Sequence, residues 1–177
     1  GAWSDFEYDF SGSTFFYPVD LTKSYYKKPI NFSGSTYQSE VYFTDSTYQG
    51  GADFSRSTYQ DGANFSRSTY QGGADFSRST YKDVTTFISS TYNGVTLSIS
   101  STYRGWADFS RSTYQDGANF TDSTYQGEVY FHSSTYNDVA DFSGSIFYRE
   151  TYFDKDGDNG SFSRFTDCAP QFYDETN

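Results

Sequence analysis

Aromatic rings recur along this chain at a spacing of eleven residues. Tyrosine occupies every eleventh position from Tyr26 to Tyr136, and Phe15 and Phe147 extend the column at both ends. A second ring column runs five residues ahead, from Phe10 to Phe153, broken only by Leu21 and Ser98. Ring spacing therefore alternates between five and six. Around each ring the pattern has period two, as a half-buried strand requires. The residue two before every ring of the first column is Ser, from Ser13 to Ser145. Before most rings of the second it is small or β-branched, as in Ala52, Ala63, Thr85 and Val129. Asp53, Arg56, Thr58, Gln60 and their equivalents are left for solvent. Segments such as Ala-Asp-Phe-Ser and Ser-Thr-Tyr-Gln, punctuated by Gly and Asp, predict short strands and turns. An eleven-residue period can also supercoil a helix, but units built on Ser, Thr, Tyr and Gly are poor helix formers.

The pattern predicts an all-β fold, a β-solenoid, spanning residues 9–153, with residues 1–8 and 154–177 as end segments that cap the coil or dock on a neighbour. Arg56–Phe65, RSTYQDGANF, recurs unchanged at Arg111–Phe120. Units such as Ala52-Asp-Phe-Ser-Arg56 and Ala63-Asn-Phe-Ser-Arg67 resemble the pentapeptide-repeat family, whose pattern is Ala-(Asp/Asn)-(Leu/Phe)-X-X. The chain departs from that pattern in its six-residue alternate units and in the Tyr at their centre. The resemblance implies a right-handed quadrilateral β-helix of four units, about 22 residues per coil, with a shaft of about 30 Å at the strand spacing. The alternative is a two-sided coil of about eleven residues and twice that length, whose narrow lumen would turn one ring column outward.

Composition sharpens this picture. Leu, Ile, Val and Phe number only 31 of 177 residues and the net charge is -11, values typical of disorder. The 19 Tyr and 19 Phe argue instead for a buried interior. No run of 18 apolar residues predicts a membrane span, and no basic start followed by an apolar run is visible. Residues 1–22 carry four acids and no base, 23–142 twelve acids and nine bases, and 143–177 seven acids and three bases. An acidic rod that imitates DNA, as some pentapeptide-repeat proteins resemble, would place its charge on the shaft rather than at its ends. The same acidity weighs against binding nucleic acid or an anionic membrane.

Candidate chemistry is sparse. His132 follows a core Phe and is expected at the surface, and Cys168 lies in the tail with no second thiol. Asp53 with Arg56, Asp75 with Arg78 and Asp108 with Arg111 read as solvated charge pairs. Asp154, Asp156 and Asp158 resemble the start of a calcium loop, but Asn159 replaces the expected Gly and Phe165 stands where a bidentate carboxylate belongs. Four Asn-X-Ser/Thr sequons, at Asn31, Asn64, Asn119 and Asn159, arise from the repeat itself. Val95, Leu97 and Ile99 alternate around Ser98, and a one-residue slip would bring those three inside. Ile88 is expected to mark a contact patch with Tyr42 or Tyr130.

These features point to a non-enzymatic structural or protein-interaction module, extracellular or at the cell surface on its Ser/Thr/Tyr-rich composition, with a cytoplasmic setting as the alternative. Self-association through the ends would build a filament, its joint formed by Trp3, Phe6, Phe16, Tyr17, Phe162, Phe165 and Phe172. Two other functions stay open. One is an ice- or glycan-binding surface on the Thr ladder from Thr36 to Thr135; the other is a DNA-mimic topoisomerase inhibitor.

Overall fold

A computed structural model describes residues 5–153, 162–166 and 169–172. Among them every regular element is a two-residue strand, and the strands form four seven-stranded parallel sheets. The first sheet runs from Tyr8–Asp9 through Ile30–Asn31 to Ala140–Asp141, and the second from Thr14–Phe15 to Ile146–Phe147. The third runs from Val19–Asp20 to Thr151–Tyr152 and the fourth from Tyr25–Tyr26 to Arg164–Phe165. Successive strands of the chain visit the four sheets in turn, which makes the coil a quadrilateral. Ala52 pairs with Ala74, and Thr58 with Thr80, so one coil takes 22 residues. The two-sided coil is excluded. The final fourth-sheet step is longer, Thr135 pairing with Arg164. The two copies of RSTYQDGANF occupy opposite sides: Thr58–Tyr59 lies in the second sheet, Thr113–Tyr114 in the fourth.

Both ring columns point inward. Parallel strands in exact register place each ring over its counterpart one coil away, and Tyr37, Tyr59, Tyr81, Tyr103 and Tyr125 stack at centroid distances of 4.7–5.0 Å. Rings from different sheets meet edge to face, as Tyr59 does with Phe65 at 5.7 Å and 86°. Both arrangements are favourable for aromatic quadrupoles. With four ring columns in the lumen, only small residues fit beside them, hence Ala52, Ala63, Ala74 and the serines two residues before each Tyr, from Ser35 to Ser134, all buried.

The serines also have a chemical task. Ser79 Oγ accepts a hydrogen bond from the Ser57 amide at 3.1 Å and donates one to the Phe54 carbonyl at 3.3 Å. Those two backbone groups are the ends of a single four-residue turn in the coil below. The hydroxyl thus bridges a turn and ties two coils together, and the arrangement repeats along the shaft. At the two extremities the turn also closes directly, the Ser13 amide donating to the Phe10 carbonyl beside the Ser35 bridge and the Ser145 amide donating to the Phe142 carbonyl.

Each of these turns carries a left-handed residue two positions after the ring. Gly12, Gly34 and Gly144 occupy that position, but so do ten non-glycine residues from Lys23 to Ser133, at φ between 54° and 59°. Such a conformation disfavours a side chain, and the preceding Asp or Asn helps hold it. Asp53 Oδ1 accepts from the Ser55 amide at 2.9 Å, and Asn64 Oδ1 from the Ser66 amide at 3.0 Å. The Asp and Asn column therefore braces its own turns. Across coils, Arg67 does form a bidentate pair with Asp45, at 2.8 and 2.9 Å. The turns after Tyr are tighter. A Cβ on Gly72 would stand 2.8 Å from the Gly50 carbonyl carbon.

Two expectations fail here. His132 is only 6% exposed, because the residue after each inward Phe sits in the turn, where adjacent coils pack it. Its column mates Thr44, Ser66 and Ser110 are buried too. The slip at Val95–Ile99 does not occur. Thr96 pairs with Ala74 and Ala118, leaving Val95 43% exposed while Thr96 and Ser98 are buried. Neighbouring coils fix the register from both sides, and a local slip would break both ladders to bury three side chains. Ser98 Oγ lies 2.6 Å from the Tyr103 hydroxyl, which satisfies the polar pair inside the core.

Candidate functional site

Two parts of the surface depart from the repeat: the ends of the shaft and a groove on the third sheet. Among the described residues, the strands Tyr8–Asp9, Thr14–Phe15, Val19–Asp20 and Tyr25–Tyr26 at the first coil are all edge strands. At the last, Ile146–Phe147, Thr151–Tyr152 and Arg164–Phe165 are edges, whereas Asp141 is bridged by Gln171. Exposed rings accompany both ends, with Phe6, Phe16 and Tyr17 at the first and Tyr148, Phe162 and Phe172 at the last. Of the residues expected at a joint, Phe165 is the exception, half-buried and stacked on Tyr136 at 4.8 Å. Trp3, Cys168, Asn159 and the carboxylates Asp154, Asp156 and Asp158 lie outside the described residues.

The groove measures about 330 Å³. It is built where several repeat positions change identity together. Trp106 stands in a column that elsewhere carries Gly, Val, Glu or Pro, Tyr130 replaces an outward Asp or Asn, and Ile88 and His132 replace the Ser or Thr after the ring. The register brings them together: Thr86 pairs with Asp108, Asp108 with Tyr130, and Tyr130 with Tyr152. One face of Tyr130 stacks on Tyr152 at 4.9 Å, so its other face is turned toward the Asp108 coil. Trp106 and His132 both stand perpendicular to Tyr130, at 6.2 and 6.0 Å. The Tyr130 hydroxyl donates to Glu128 Oε2 at 2.6 Å, and this bond to a carboxylate pushes its pKa up to about 12. Asp108 and Arg111 complete the lining. Ile88 and Tyr130 line this one groove from coils two steps apart, while Tyr42 lies farther along the same face, bonded to Glu40.

The Thr ladder divides between the second and fourth sheets, each hydroxyl column half-buried on one side of the shaft. The Asn31, Asn64 and Asn119 amide oxygens are engaged by the amides of Ser33, Ser66 and Thr121. Among the described residues no helix is long and apolar enough to cross a membrane, and no group of three or more His, Cys, Asp or Glu is placed to hold a metal ion. Comparison of the chain with protein-family models, curated proteins and solved structures finds no match.

Proposed function

We propose that this chain is a non-catalytic structural or interaction shaft of the pentapeptide-repeat kind, working outside the cell and adding copies end to end. The observation that supports the reading is the pair of shaft ends, whose strand edges are unpaired among the described residues. Unpaired strand edges recruit other strands, and a solenoid buries each coil only against its neighbours. The first-coil edges and the second- and third-sheet edges of the last coil share one 22-residue geometry, so a second copy would continue the shaft. The apolar rings Phe16 and Tyr17, 70% and 82% exposed, are available to cover the joint. The acidic ends oppose close approach, and a divalent cation held by Asp154, Asp156 and Asp158 would relieve that repulsion.

Light scattering after size exclusion, with millimolar calcium and with chelator, tests this together with negative-stain images. The expected result is a large species or fibres, reduced to monomer by the double variant Phe16→Asp, Tyr17→Asp. Calcium dependence would put the acidic loop at the joint, and equal assembly in chelator would remove calcium from the proposal. A monomer of 20.1 kDa in both buffers at high concentration overturns end-to-end assembly.

A further inference from the structure

We propose that the groove around Trp106 is a binding site for a neutral pyranose sugar. In a solenoid whose coils are nearly interchangeable, a position free to vary drifts singly. Here Ile88, Trp106 and His132 depart from their columns at one spot on one face, around a Glu128–Tyr130 pair of the kind that Glu40–Tyr42 and Glu150–Tyr152 also form. Trp106 keeps 40% of its surface exposed although the chain buries rings wherever the lumen allows. Its neighbour Tyr130 is held rigidly, by Tyr152 on one face and by the hydroxyl bond to Glu128. A flat apolar ring surface beside fixed polar groups suits a ligand with one C–H face and a rim of hydroxyls.

The polar groups select among ligands. Asp108 and Glu128 supply acceptors and Arg111 supplies a cation in the same groove. Carboxylates alone beside aromatic rings would favour an organic cation. A mixed set leaves little net charge and matches a polyol that both donates and accepts. The volume of about 330 Å³ falls at the small end of ligand sites, which fits one ring rather than an extended oligomer. This site lies on the third sheet, away from both Thr columns, so it differs from the glycan surface that the Thr ladder suggests. It is also independent of assembly at the ends.

Titration calorimetry and saturation-transfer NMR on the full chain provide the test. The probes are the methyl glycosides of glucose, galactose, mannose, fucose and N-acetylglucosamine, with tetramethylammonium chloride as the cationic control. At least one sugar is expected to bind saturably, with Kd on the order of 1 mM, a value typical of a weak single-ring contact. Trp106→Ala should weaken it at least about tenfold, the factor that 1.4 kcal/mol represents. Trp106→Phe should retain part of the affinity, and Thr58→Val on the second sheet should leave it unchanged. The circular dichroism of each variant should match the parent. Absence of binding by all five sugars overturns the proposal, as does equal binding by parent and Trp106→Ala. Saturation by tetramethylammonium alone would make the groove a cation cage, which also overturns it.

Discussion

Ser98 is the one polar residue in a column of rings, and the chain accommodates it without moving a strand. Phe54 stacks on Phe76 at 5.3 Å and Phe120 on Phe142 at 5.0 Å, while between them Ser98 turns its hydroxyl to Tyr103. Ser98→Ala is therefore expected to destabilise by about 1–3 kcal/mol, the penalty for leaving the buried Tyr103 hydroxyl alone. The double variant Ser98→Phe, Tyr103→Phe restores the ring and removes the orphan, and should gain about 1–3 kcal/mol from the added apolar burial. Urea melts of the two proteins, compared with the parent, check both signs. Residues of this kind mark the limit of what was legible in the chain. That Ser57 and Ser79 must be small follows from ring crowding, and the pattern shows it. That their hydroxyls replace the hydrogen bond of the turn one coil away depends on a neighbour 22 residues distant, which no local pattern reveals. His132 misled for a related reason: strict alternation holds along a strand but ends at a corner, where a nominally outward residue is packed between coils.

The stacked tyrosines behave as one element. Ten of them, from Tyr37 to Tyr136, are almost fully buried. Burial holds their phenols neutral, raising each pKa above the ordinary value of 10.0. A folded-state pKa above the unfolded one gives stability that is present below the unfolded value and lost as pH rises past it. The shaft should therefore be insensitive to these groups up to about pH 10 and then unfold over a narrow alkaline range, because the unfolded chain can release ten protons that the folded one retains. Absorbance of tyrosinate near 295 nm and the β-sheet circular dichroism should change together. Gradual ionisation with the dichroism intact would show that the column admits solvent. The inward orientation of this column was not legible in the sequence, because the two-sided coil that the same period allows would turn one ring column outward. The left-handed turns were signalled by Gly12, Gly34 and Gly144, yet Arg56, Arg67 and Arg78 in the same column hid the signal, since Arg rarely adopts that conformation.

At the scale of the molecule, an eleven-residue sequence unit builds a 22-residue coil because successive units face opposite sides. RSTYQDGANF folds alike in both places, so the coil has two nearly equivalent halves. Deleting residues 67–77 is thus expected to give a folded shaft shorter by half a coil, with the later strands moved to opposite sheets. Deleting residues 52–56 removes a five-residue unit and sets two six-residue units side by side, which puts the Ser and Asp columns out of phase and should abolish cooperative melting. Thermal melts followed by circular dichroism distinguish the two. The coil size itself followed from the family resemblance and from lumen crowding rather than from the repeat length, which both coils satisfy. The Trp106 groove went unread as a whole because its members lie on three successive coils, and only the register brings Ile88, Trp106 and Tyr130 into one groove.

The 22-residue register, kept at every step but the last of the fourth sheet, also dictates how the shaft would respond to a pulling force. Every strand bonds only to the coils before and after it, so tension on one terminus loads the outermost coil alone. Force should peel the protein open one coil at a time, each rupture releasing about 75 Å of slack chain at about 3.4 Å per residue. The resulting sawtooth trace would count the coils, and a change in tooth height would locate the coil that contains Ser98.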